Sequence, residues 1–237
     1  MDRPAGRPPI INAPLPLTAF ALLLIALHAV RVFSPEAMQM EALYHGALFP
    51  ERFWGWAQGG PVSPVSAPAY EGWLPALAPF VLSGLLHGDW MHVLLNAVFA
   101  VAFGKPVLDI IMRIRGSAGA GSVIVLFALI VISQAAGGLV FLLIHNPVGA
   151  IAVGASGGLS GLLGAYLLMR DGAAARLLSR NFLIVTGVFA VANVLLAIIG
   201  PAMLGVSIAW EVHLGGYVAG AVFGRILIWN ALRRMDI

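Results

Sequence analysis

The apolar residues of this chain fall in long blocks separated by short polar connectors, and the block lengths carry the first inference. Runs from about Pro14 to Val32, Trp90 to Gly104, Gly121 to Ile144, Gly154 to Met169, Phe182 to Ile199 and Ile208 to Leu232 each approach the ~20 residues that a helix needs to cross a hydrocarbon core. The second run is short and is expected to extend back toward Leu86. Backbone polar groups in lipid must be satisfied within their own segment, so runs of this kind predict helices. The expected fold class is therefore an all-α membrane protein, a bundle of six transmembrane helices in one domain spanning 1–237. A tail over 1–13 precedes it, and a long segment over about 33–87, rich in Pro, Gly and aromatics, separates the first two blocks. Within that segment LFPERFWGWAQGG sets Phe49, Phe53, Trp54 and Trp56 beside Glu51 and Arg52, a mixture that prefers the headgroup layer. A short interfacial helix or hairpin is expected there, acting as an anchor or as a substrate-entry or lid element.

Composition agrees with the pattern, since 60% of the residues are apolar and only 10% are charged. Arg3 and Arg7 before the first block invite a signal-peptide reading, but its length and the lack of a small-residue cleavage site ahead of a soluble domain favour a retained helix. Charge then orients the bundle. Arg3 and Arg7, then Lys105, Arg113 and Arg115, then Arg170, Arg176 and Arg180, then Arg225, Arg233 and Arg234 fall at alternate ends of the spans. Those ends are cytoplasmic by the positive-inside rule, which puts both termini inside. Arg31 and Arg52 lie on the other side, among Glu36, Glu41, Glu51, Glu71 and Glu211. The net charge of +3 is spread over connectors and forms no basic stripe, so nucleic acid is not an expected partner. The absence of cysteine excludes disulfides, thiolate metal sites and cysteine nucleophiles.

Polar side chains at membrane depth are costly without partners and usually mark function. His92 and Asn96 in HGDWMHVLLN are spaced i, i+4 and share a helix face. Ser156 in GASGG stands at the outer start of the fourth span, and His213 lies about two turns into the sixth. Gly157, Gly161 and Gly164 form a small-residue stripe on one helix, and Gly216, Gly220 and Gly224 form another. Such stripes let helices pack backbone to backbone, and His213 shares the face of its stripe, which turns it toward Ser156. A serine within hydrogen-bond reach of a histidine is a nucleophile with its general base. Asn96, His92 and the unpaired amide of Ser156 would supply donors for an oxyanion, and Gly154 would permit the turn that exposes the hydroxyl.

An isolated intramembrane serine commonly back-bonds to a carbonyl, and isolated His or Asn residues commonly bridge helices. Coincidence of depth, face and order is what singles out this set. His87 and Asp89 are expected to act as interface groups or as a helix cap. His28, His45 and His145 have no expected convergent partner, and with no His-Glu-x-x-His motif no metal is expected.

Three motifs together, GASGG followed by GLLGAY, HGDWMHVLLN, and HLGGYVAG, resemble those of rhomboid intramembrane serine proteases, in order and over about Pro79 to Gly224. The resemblance implies a six-helix fold and a catalytic dyad of Ser156 and His213, with His92 and Asn96 on the oxyanion side. It further implies transmembrane protein substrates that enter from the lipid and are cut near the outer face, with membrane lipids as surroundings and no metal or cofactor. The expected location is a bacterial inner membrane. Two features depart from the family pattern. Ser160 replaces an aromatic that packs on the base histidine in many members, and is expected to hydrogen-bond His213 instead, with Gly154 and Gly157 in support. ERFWGW also lacks the adjacent Trp-Arg pair of many members. A transporter would be expected to show paired repeats, broken helices or intramembrane carboxylates. The stronger alternative is a catalytically inactive rhomboid-like protein that binds membrane clients without cutting them.

Overall fold

The structure, a computed structural model, describes residues 13–63, 67–204 and 208–235, so the tail expected over 1–13 lies outside the described residues except for Ala13. Helices α1 (Leu15–Val32), α2 (Glu36–Gly46), α3 (Pro50–Gln58), α4 (Trp73–Leu77) and α5 (Pro79–Leu82) are followed by a 3-10 turn over Ser83–Leu85. Helices α6 (Trp90–Arg115), α7 (Ala120–Ile144), α8 (Ser156–Met169), α9 (Arg180–Leu204) and α10 (Trp210–Met235) complete the described chain. Five of them, α1, α6, α7, α9 and α10, are long and apolar enough to cross a membrane. The remaining expected span, α8, has 14 residues and reaches about 21 Å.

α8 is the centre of the bundle. Nine of its 14 residues are buried, and it packs against α6, α7 and α10. The two glycine stripes explain the closest of these contacts. A Cβ on Gly216 would strike the carbonyl of Gly157, one on Gly220 the backbone of Gly161, and one on Gly164 the carbonyl of Tyr217. Hydrogen-bearing Cα atoms thus replace side chains along the α8–α10 seam, the small-residue packing that lipid-embedded helices favour. Around it lies a core that includes Leu126, Leu129, Leu159, Leu162, Leu168 and Tyr217.

The second span does not extend back toward Leu86 as expected, since α6 begins at Trp90; it outruns its apolar block at the other end. Asp89 caps α6 by accepting the His92 amide at 2.9 Å, and the helix continues through Pro106 to Arg115, where Gly116 ends it at φ 63°. Lys105 is absorbed by a 2.9 Å pair with Asp109 one turn on. Hydropathy falls at Gly104 because charge begins there, but the helix continues through Arg115.

The segment between α1 and α6 is folded, and its organiser is Arg52. That side chain is 5% exposed. Its guanidinium lies 3.6 Å from the Tyr44 ring centroid and 4.2 Å from that of Tyr70. Nε donates to Pro68 O at 3.0 Å, and Nη1 donates to the Tyr44 carbonyl. A short helix forms in LFPERFWGWAQGG, α3, with Pro50 at its first turn and Gly59 ending it at φ 79°. Trp54 Nε1 donates to Leu142 O at 2.9 Å, and Leu48 and Ala152 exchange two backbone bonds of 3.0 Å each. Those bonds fasten the segment to the end of α7 and to the chain entering α8. Arg31, the other arginine outside the charge pattern, donates from Nη2 to His87 O at 2.6 Å.

Candidate active site

The chain enters α8 through a turn only glycine makes easily. Gly154 has φ 119°, its N–H donates to Ser83 O at 2.8 Å, and its carbonyl accepts from Gln134 Nε2 at 3.0 Å. Gln134 also accepts the Gly158 amide on Oε1 at 2.9 Å and lies 3.4 Å from Ser83 Oγ. One buried amide on α7 therefore fixes both the turn and the first turn of α8. With the Gly158 amide held by Gln134 and the Leu159 amide by Ala155 O, the Ser156 and Gly157 amides have no hydrogen-bond partner among the described residues. They are the open donors that a helix N-terminus provides.

Ser156 is the first residue of α8 and half-buried. Its Oγ lies 2.8 Å from His213 Nε2. His213 is on the first turn of α10, closer to the helix start than the two turns expected, because α10 begins at Trp210. Its other ring nitrogen, Nδ1, is 2.6 Å from Oδ1 of Asn193 on α9, and Asn193 Nδ2 donates to Phe189 O at 2.8 Å. Asn193 is buried. It is an amide in an otherwise apolar stretch, FAVANVLLA, and that was its signal in the sequence; no spacing rule links it to a histidine on another helix.

His92 and Asn96 face the Gly154 turn. A Cβ built on Gly154 would come within 2.6 Å of His92 Nε2 and 3.7 Å of Asn96 Nδ2. Asn96 Nδ2 is buried and has no hydrogen-bond partner among the described residues. Behind them His87 is fully buried, and the Ala155 amide approaches its Nε2 at 3.5 Å. Burial lowers the His87 pKa to about 3, and the neighbouring His92 and His28 rings add to the effect. Ser156, His213, His92, Asn96 and Gly154 thus meet at one end of α6, α8 and α10, and Gly157 packs against Val212 and Gln134.

Three expectations are corrected. Ser160 makes no hydrogen bond to His213 among the described residues; the histidine is held from the opposite side by Asn193. His145 does have a partner, Glu211 at 3.0 Å, which ties the end of α7 to the start of α10. His45 has one as well, Glu41 one turn earlier at 3.1 Å, whereas His28 stands edge-on to Trp90 with ring centroids 4.8 Å apart and neither ring nitrogen hydrogen-bonded among the described residues. Among the described residues no three His, Asp or Glu side chains converge as a metal site requires.

A half-buried serine bonded to an imidazole, with unpartnered amide donors beside it, thus sits in an apolar bundle with five helices long and apolar enough to cross a membrane. The protein-family model described as Rhomboid domain matches residues 75–230, more than half of the chain. The chain belongs to the rhomboid family, whose typical members are intramembrane serine proteases. No curated protein matches it.

Proposed function

We propose that this rhomboid is an active intramembrane serine endopeptidase that cleaves transmembrane proteins near the outer membrane face. The observation that carries the reading is the 2.8 Å approach of Ser156 Oγ to His213 Nε2. In the proposed reaction Ser156 Oγ attacks the scissile carbonyl carbon while His213 Nε2 takes the hydroxyl proton. Negative charge develops on the substrate oxygen, where Asn96 Nδ2, His92 and the Ser156 amide offer donors that are unspent in the resting site. Collapse breaks the C–N bond, and His213 returns the proton to the leaving amine. A water then attacks the acyl ester, gives its proton to His213 and frees Ser156.

The orientation rests on charge. Arg113 on α6 and Arg170, just past the end of α8, flank a cavity with Ile228 and Leu232 of α10, at the ends of those helices opposite Ser156 and His213. By the positive-inside rule that end is cytoplasmic, so both termini are inside and the serine faces outward. The test is covalent labelling by a fluorophosphonate together with cleavage of a model transmembrane substrate. Labelling that is lost in Ser156→Ala and kept in Ser160→Ala supports the reading. An unlabelled wild-type protein that still retains membrane clients supports the inactive, client-binding alternative.

A further inference from the structure

We propose that Asn193 is a positioning residue that holds His213 in the tautomer a general base requires, which makes the site a three-membered chain of Ser156, His213 and Asn193. The inference rests on the proteolytic reading above. Its first support is the direction of the hydrogen bonds. An Asn amide has one acceptor and one donor end, and Asn193 spends its donor end: Nδ2 gives a hydrogen to Phe189 O at 2.8 Å. Oδ1 is therefore the atom that faces His213 Nδ1 at 2.6 Å, and an acceptor there demands that Nδ1 carry the proton. A neutral imidazole has only one N–H, so Nε2 is left with its lone pair directed at Ser156 Oγ, 2.8 Å away. The opposite tautomer would set a lone pair against Oδ1 and leave Ser156 without a proton acceptor.

A second support is how Asn193 is held at the right height. α9 is the least enclosed of the long helices, with 11% of its span buried against 39% for α6, α7 and α10. Its contacts with α10 centre on Tyr217, one turn below His213: Phe189 stacks on that ring at 4.6 Å, and Thr186 Oγ1 lies 3.1 Å from its hydroxyl. Phe189, which receives the Asn193 amide, is also the residue that grips Tyr217. The Tyr217 contact and the amide–imidazole bond therefore register one helix against the other. A carboxylate in this position would add a buried charge in lipid; an amide fixes the tautomer without one. The stacking aromatic that Ser160 fails to provide is replaced, in function, by a hydrogen bond from another helix.

The test pairs Asn193→Leu, close in volume but without the acceptor, with Asn193→Asp, which keeps an oxygen facing Nδ1. Purified full-length protein is assayed for steady-state cleavage, and the His213 ring is read by ¹⁵N NMR, assigned by comparison with His213→Gln. Wild type is expected to show a protonated Nδ1 and an unprotonated Nε2. Asn193→Leu is expected to show mixed tautomers and a kcat lower by on the order of 10²-fold with KM nearly unchanged, and Asn193→Asp to recover most of that loss. A wild-type ring protonated at Nε2, or an Asn193→Leu variant with unchanged kcat and tautomer, overturns the proposal. A stability loss alone, with kcat of the folded fraction intact, also overturns it and assigns Asn193 to helix packing. If wild type neither cleaves nor labels, the proteolytic reading fails, while the ring signature still reports on Asn193.

Discussion

Gly154 and His92 are so close that a methyl group cannot stand between them: a Cβ on the glycine would sit 2.6 Å from His92 Nε2. The glycine's φ of 119° is a second barrier, since an L side chain there is strained by roughly 1–3 kcal/mol. Gly154→Ala must therefore push His92 away from Ser156 or unwind the turn that presents it. We expect cleavage to fall about 10²-fold or more, with the thermal midpoint in detergent lowered as well. A variant that keeps wild-type kcat would mean that the His92 ring and the turn are not coupled.

Substitutions within the site should follow a rank order. Ser156→Ala and His213→Ala remove groups that act as a unit and should each abolish turnover, whereas Asn96→Ala removes one donor and should cost ~10²–10³-fold. Ser160→Ala should change little, because Ser160 makes no hydrogen bond to the base. Initial rates on one transmembrane substrate decide the matter, and full activity in His213→Ala would end the dyad assignment.

What could be read from the sequence, and what could not, follows the range of the interactions. Helices α1, α6, α7, α9 and α10 announce themselves by hydropathy, because lipid imposes length and polarity on each segment independently. The Ser156–His213 meeting was foreshadowed because each residue shares its helix with a glycine stripe, and stripes specify which faces touch. Gln134 and Asn193 were not, since each acts across helices through a single side chain and leaves no periodic trace. Arg52 stood in the sequence as a misplaced charge; its enclosure by Tyr44 and Tyr70 depends on the folding of a segment with no repeat at all.

The α8–α10 seam should tolerate no added volume. A Cβ on Gly220 would overlap the Gly161 backbone, whereas one on Gly187 of α9 meets nothing within 4 Å. Gly220→Ala is expected to destabilise the protein by ~1–3 kcal/mol, the usual result of overpacking, and Gly187→Ala to be neutral or slightly stabilising. Unfolding curves of the two variants make the comparison, and equal midpoints would remove the backbone-to-backbone account of the seam.

Acid should loosen the active-site turn through His87. This ring is fully buried beside His28, Arg31 and His92, and burial first, then the neighbouring positive groups, lowers its pKa from the ordinary 6.5 to about 3. Between those values the unfolded chain binds a proton that the folded chain refuses, so stability falls as pH drops through this window and is complete above its upper edge. The slope is at most roughly 1.4 kcal/mol per pH unit for one proton. Protonation would also put an N–H where Nε2 now faces the Ala155 amide at 3.5 Å, one residue before Ser156. His87→Gln keeps an acceptor that does not titrate. We therefore expect thermal midpoints measured from pH 7 to pH 4 to decline less steeply in His87→Gln than in wild type, with labelling of Ser156 preserved further into acid. Equal slopes in the two proteins would assign the acid sensitivity to other groups and leave His87 as packing alone.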